Sequence, residues 1–513
     1  MILFNDYQKK LVVPRWLSHK NATKTGELGW PAVKLVDKPV NNADRFAIDY
    51  SDFKNDPSLH KASDLLGSAF VLGEKPLAEE LAKYILSNPT LSAAAIGLAK
   101  QVLGISESKP AEDYINLRIS EIKRFLSEHP TNPFKWMERG RLYTLMGLMD
   151  KAEKCVRIAY NLAPYDRYVA RCATRFFLHV DKTDEAWHYI HNASKKTNDP
   201  WIKATEISIG ELLNKNFKKP KQYMPTSNDP RILYHYSEFI EAYGMLELVS
   251  GNDLMAQKLF KTAWSNPSVN VVTHSEWIVR ERFPALIEMA KGHFRDSIEA
   301  VAWQHYHNLN IDSAIVATTE WGLAEPYAKN AFGLGSSLFF NKRDYVAGVK
   351  TARFGLISNP NDFGLLNNVC FGLLKQRDIN GAVKVFDKII MPDNPTSQVV
   401  YTATRGLMYY VRGEPAIGRS LYVEAIEKAK AIKDTRLAVK ALLHLAATEA
   451  EFKTPEAQLI AEIAIKSSES YIDPDVEYLK RNVKNDINEL SKVTKPTPFG
   501  AFHNVKIPPS IGF

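Results

Sequence analysis

Between short breaks rich in Pro, Gly, Ser and Asn, apolar residues recur at i, i+3, i+4 and i+7, with polar residues between them. That is the period of an α-helix that buries one face. LSAAAIGLAKQVL (91–103), AEDYINLRISEIKRFLSE (111–128) and LAVKALLHLAATEAEF (437–452) show it clearly. Runs of alternating β-branched residues are scarce, so the predicted class is all-α. Helix after helix with short turns predicts a repeat array, and 513 residues exceed one ordinary compact core.

A register emerges from Asn132 onward. The segment NPFKWMERGRLYTLMGLMDKAEKCVRIAYNLAP places Trp136, Gly140, Tyr143, Ala152, Ala159 and Pro164. Gly140 and Ala152 are small where two helices would cross closely, Trp136 and Tyr143 fill the space beside them, and Pro164 ends the second helix. The same frame finds Phe177, Ala186, Ile190 and Ala193 before Asp199-Pro200, then Gly244, Ala256, Phe260 and Ala263 before Asn266-Pro267. It recurs through Phe332–Gly355 before Asn359-Pro360, through Leu366–Phe386 ending near Asn394-Pro395, and again at Gly406, Tyr409, Gly418, Tyr422 and Ala425. Ala457, Ala461 and Ala464 suggest a last, degenerate pair.

This spacing resembles the tetratricopeptide repeat, a helix–turn–helix unit of about 34 residues. Arg139 and Val156 depart from its pattern. The resemblance implies a right-handed superhelical solenoid of antiparallel helix pairs and a non-catalytic scaffold or adaptor for protein–protein interaction. The expected organisation is an arm or cap over 1–56, degenerate repeats over 57–131 and clear repeats over 132–270. An irregular helical segment follows over 271–325, then repeats over 326–490 and a Pro/Phe-rich tail over 491–513. The tail reads either as a cap or as a docking peptide.

In that family the first helix of each pair lines a groove. The register then puts Arg141, Tyr168, Arg171, Arg175 and His179 on the groove's N-terminal side. Arg167, Arg171 and Arg175 step by four, which sets them on one helix face. Such a stripe is either neutralised internally, by carboxylates such as Glu138, Asp166 or Glu206, or is a site for an acidic or C-terminal peptide. Further along, Phe340, Asn341, Asn367, Phe371, Leu407 and Tyr410 give an apolar, amide-rich stretch suited to a peptide with hydrophobic anchors. Leu407 is expected to pack against neighbouring helices. The Lys, Asn and Arg set with which some family members clamp chaperone tails is absent.

Charge refines this picture modestly. The net charge is +8, from 66 basic against 58 acidic residues, and residues 133–231 hold 18 Lys and Arg against 11 Asp and Glu. Part of that excess is a loop with Lys215, Lys218, Lys219 and Lys221, and it supports a nucleic-acid-binding helical repeat as the alternative. The three cysteines lie far from any CxxC spacing, and the N-terminus lacks the apolar core of a secretion signal. The expectation is a soluble cytoplasmic protein with no membrane segment. No phosphate-binding loop, nucleophile elbow, HExxH helix or dinucleotide fingerprint occurs. The pairs His188/His191 and His305/His307 lack accompanying ligands, so neither metal, cofactor nor catalysis is expected.

Overall fold

A computed structural model describes residues 15–16, 42–72, 74–87, 110–215, 220–225 and 229–493, with four single positions between 96 and 103. Lys218, Lys219 and the tail from 494 lie outside the described residues. Every regular element among the described residues is helical. The chain divides into two compact units, with the boundary between Leu213 and Asn214.

The first unit contains α1 (Asn42–Asn55), α2 (Leu59–Leu72), α3 (Lys75–Leu86), α4 (Pro110–Glu128), α5 (Pro133–Leu145) and α6 (Met149–Leu162). It ends with α7 (Arg167–His179), α8 (Thr183–Lys196) and α9 (Pro200–Leu212). The second begins with α10 (Pro230–Val249), α11 (Asp253–Ala263), α12 (Val269–Glu281), α13 (Ile298–His307) and α14 (Ile311–Ala324). It continues through α15 (Lys329–Asn341), α16 (Tyr345–Ser358), α17 (Phe363–Lys375), α18 (Ile379–Phe386) and α19 (Pro395–Val411). Last come α20 (Pro415–Ala431), α21 (Thr435–Glu451), α22 (Ala457–Ser467) and α23 (Pro474–Val493).

Consecutive helices pack as pairs, among them α5 with α6, α10 with α11, α15 with α16 and α19 with α20. Eight of the pairs turn in the same way. After the first helix one residue takes a left-handed backbone: Gly147, Asp181, Gly251, Leu309, Arg343, Arg377, Gly413 and Lys453, at φ between 51° and 86°. The amide that follows reaches back to the helix, as in Leu148 to the Tyr143 carbonyl and Asp344 to the Phe339 carbonyl. This is the Schellman closure that satisfies the orphan carbonyls of a helix end.

Helix starts are equally regular. Asn132, Asp166, Asp199, Asp362 and Asn394 each accept a backbone N–H from the first turn that follows, which removes an unsatisfied donor there. The Asp199-Pro200 and Asn394-Pro395 pairs therefore open the next helix, with proline in its first turn, rather than close the previous unit.

Small residues sit where backbones approach. A Cβ on Gly140 would lie 3.3 Å from the Ala152 carbonyl oxygen. One on Gly418 would lie 2.8 Å from the Gly406 carbonyl oxygen and 2.4 Å from Tyr410 Cδ2. The core of the second unit runs continuously from Val349 through Cys370, Tyr410 and Leu442 to Val476 and Val483 of α23. Cys155, Cys172 and Cys370 are all buried as free thiols, and burial pushes Cys155 up to about 11 and Cys370 up to about 12.

Several boundaries differ from expectation. The division between units falls inside the stretch read as one block over 132–270. A helix already begins at Asn42, within the stretch read as a non-helical arm. Trp16, from that arm, is buried with its ring edge-on to Phe176 at 5.9 Å. The irregular part of 271–325 narrows to the 3-10 turns and single helical turn between Pro284 and Asp296.

Candidate functional site

The arginine stripe of α7 is turned inward. Arg167 and Arg171 are 2% and 1% exposed, because α9 follows α7 and lays Trp201 against it. Both guanidiniums lie over that indole, at 4.9 and 4.7 Å from its centre, and Arg167 also pairs with Asp199 at 2.6 Å. A planar, weakly hydrated guanidinium suits such a stack where an ammonium would not. Tyr168 is likewise buried, and Arg141 is held by Glu138 at 2.9 Å. Arg175 and His179 are half-buried. Tyr168 and Arg171 are thus not on an open groove: they form part of the joint between repeats. Of the carboxylates considered as neutralisers, Asp166 caps α7 and Glu206 binds His191 at 2.6 Å. Lys215 and Lys221 are exposed.

The second stretch behaves differently. Phe340, Asn341 and Phe371 come together on a cavity of about 450 Å³, whereas Asn367, Leu407 and Tyr410 do not reach it. Asn367 is buried and accepts a hydrogen bond from Thr404 at 2.7 Å. Tyr410 is buried and donates to Glu449, and Leu407 packs in the core.

Each wall of the cavity is one stripe of a helix. Ser337, Phe340 and Asn341 lie on α15 at i, i+3 and i+4, Phe371 and Lys375 on α17 at i and i+4. Lys440, His444, Ala447 and Glu451 form the stripe of α21, and Asp475, Leu479, Asn482 and Asp486 that of α23. Phe340 packs against Phe371 at 5.3 Å, and Phe371 meets the His444 ring nearly at right angles at 5.7 Å. Glycines make room for Phe340: a Cβ on Gly348 or Gly372 would lie 2.2 or 2.9 Å from its ring.

Ion pairs tie the walls together. Lys375 and Arg377 both bind Glu451, the latter at 2.8 Å. Lys440 holds Asp475 at 2.8 Å, and Arg343 reaches Asp486 and the Asn482 carbonyl. Burial alone would raise Asp475, but the Lys440 ammonium outweighs it and holds the carboxyl at about 2. Burial lowers His444 to about 3, so its imidazole is neutral at physiological pH.

Sequence reasoning missed Ser337, Lys375, His444, Lys440, Asp475 and Asp486. Their one signal was position on a first helix of a pair, or on the helix after the last pair. A separate polar cluster, Glu238, Glu241 and His274 between α10 and α12, is wholly buried. Its hydrogen bonds join Ser268, Asn270 and Trp264.

No protein-family model matches the chain, and no curated protein matches it. Among solved structures, yeast Tom70 aligns over 88% of this chain and 92% of that chain at 12% identity, with a TM-score of 0.29. The APC/C hetero-tetramer Cut9–Hcn1 aligns over 86% and 93% at 14% identity, with a TM-score of 0.29. A monomeric IFIT1 mutant with m7Gppp-AAAA aligns over 93% and 100% at 9% identity, with a TM-score of 0.31. Similarity at that level transfers no ligand and no partner. No described helix is long and apolar enough to cross a membrane. Among its described residues the chain is all-α, each unit built of antiparallel helix pairs of tetratricopeptide-like layout.

Proposed function

We propose that the chain is a non-catalytic scaffold that binds another protein by taking part of an extended or helical segment into the cavity bounded by α15, α17, α21 and α23. The observation that supports this is convergence: Phe340, Asn341 and Phe371, on successive first helices, meet there with groups from two later helices. A half-buried aromatic wall on a rigid helical frame is suited to anchoring a peptide side chain.

An acidic peptide fits less well than the charge count implied. Arg167 and Arg171 are packed on Trp201, and two of the cavity's three lysines, Lys375 and Lys440, already hold carboxylates. The same packing removes the arginine stripe from a nucleic-acid surface. The test is affinity capture with the full chain, comparing wild type with Phe371→Ala/Asn341→Ala. The expected result is loss of a defined set of bound proteins with the helical signal intact. An unchanged set would remove the cavity as the grip.

A further inference from the structure

We infer that the cavity bounded by α15, α17, α21 and α23 is the seat of the chain's own amino-terminal segment, residues 1–13. That the segment holds the cavity against a partner, which must displace it, rests on the reading of the cavity as a grip.

Residues 1–13 divide with the second unit, which holds the cavity, although the chain that follows them directly, Pro14–Leu213, forms the first. Covalent continuity would leave so short a segment with its neighbours in sequence. Its assignment to the second unit therefore reflects association with that unit's helices.

Charge points to the cavity among those helices. Two of the groups that line it feel the chain's amino-terminal ammonium. After burial, that ammonium is the strongest influence holding the His444 imidazole neutral. Burial raises Asp475, and against it Lys440, Tyr306 and then the amino terminus hold the carboxyl ionised. Between charges in water such an influence is spent within about 8–10 Å at physiological salt. Among the described residues, Lys453 and Glu489 line the cavity without an ion pair. Residues 1–13 carry both signs to meet them, in Asp6 and in Lys9 with Lys10.

The apolar surfaces match as well. Phe340 and Phe371 make the aromatic wall, and Leu479 and Leu490 line the cavity from α23. Residues 1–13 open with Met1, Ile2, Leu3 and Phe4, four large apolar side chains in a row that are costly to leave in water. A segment tethered to its own seat presents itself there at an effective concentration in about the millimolar range. A free partner segment at lower concentration binds only where it displaces the tethered one.

The test places a photo-reactive residue in two versions of the full chain, Phe4→p-benzoylphenylalanine and Tyr7→p-benzoylphenylalanine. Cross-links formed on irradiation at physiological salt are mapped by peptide mass. They should join the segment, within one molecule, to the stretches of α15, α17, α21 or α23 that line the cavity. Leu3→Asp in the same chains should cut their yield at least about fivefold, since it sets a carboxylate against an apolar wall. No cross-link into those stretches from either position overturns the inference. So do cross-links that form only between two molecules. In affinity capture, Leu3→Asp/Phe4→Asp should raise the amount of bound proteins at least about threefold, because the tethered competitor is gone. Capture that responds to Phe371→Ala/Asn341→Ala but not to Leu3→Asp/Phe4→Asp overturns the displacement. If the cross-links fall in the cavity and neither double variant alters capture, the segment is seated and the grip fails. If Phe371→Ala/Asn341→Ala loses its captured proteins and no cross-link enters the cavity, this inference fails and the grip stands.

Discussion

Glu449 is fully buried and accepts hydrogen bonds from the Tyr410 hydroxyl, from Thr454 and from Arg419, the last at 2.5 and 2.9 Å. Burial would raise its pKa, but those donors outweigh it and the folded value is lowered. Its contribution is therefore present above the unfolded carboxylate value and is lost as pH falls through the lowered one. Glu449→Gln leaves the partly exposed Arg419 with Glu456 alone and weakens the bonds from Tyr410 and Thr454, and should cost about 1.5–3 kcal/mol in urea unfolding at pH 7. His444 acts at a higher pH. Its folded value of about 3 lies below the ordinary 6.5, so the unfolded chain binds the proton first. The stability from a neutral His444 is complete above about pH 6.5 and declines as pH falls toward 3. His444→Leu should accordingly flatten the fall in the urea midpoint between pH 6.5 and 5, a window above the titration of Glu449 and Asp475.

At the scale of elements, the left-handed turn residue organises the repeats. It was legible where glycine fills it, at Gly147, Gly251 and Gly413, and hidden where Leu309, Arg343 or Arg377 does. The turn residue does not decide the register, since the pairs turning at Arg343 and Arg377 were found by it; at α13–α14 the turn carries leucine in a conformation that costs an L-residue about 1–2 kcal/mol. Leu309→Gly should stabilise the second unit by about 0.5–1 kcal/mol, read as a shift of the urea midpoint without a change of slope. Arg343→Gly relieves the same strain but removes the half-exposed link to Asp486 and the Asn482 carbonyl. Its net effect on global stability should stay within about 0.5 kcal/mol, while amide exchange in α23 quickens. The arginine stripe shows the other kind of gap. Spacing by four placed Arg167 and Arg171 on one face, but the indole that covers that face lies 30 residues on, at Trp201.

At the scale of the whole molecule, two compact units replace the single graded groove that the register suggested. Local spacing reports which helices pair and says nothing of where the packing between pairs is interrupted, so the boundary at Leu213 was out of reach. Helices from α15 to α23 also meet across more than a hundred residues, as Arg343 and Asp486 do, and no local pattern encodes that. Two units with separate cores should melt in two calorimetric steps. Arg171→Ala, which uncovers Trp201, should lower only the first unit's step, by about 2 kcal/mol.

The buried thiols give each half its own clock. Cys155 and Cys172 belong to the first unit and Cys370 to the second, and raised pKa values keep Cys155 and Cys370 protonated and inert toward alkylating reagents at neutral pH. Labelling then waits on opening. The rate at which a maleimide reaches Cys155 or Cys370, mapped by peptide mass, times the breathing of one half independently of the other, with no engineered probe.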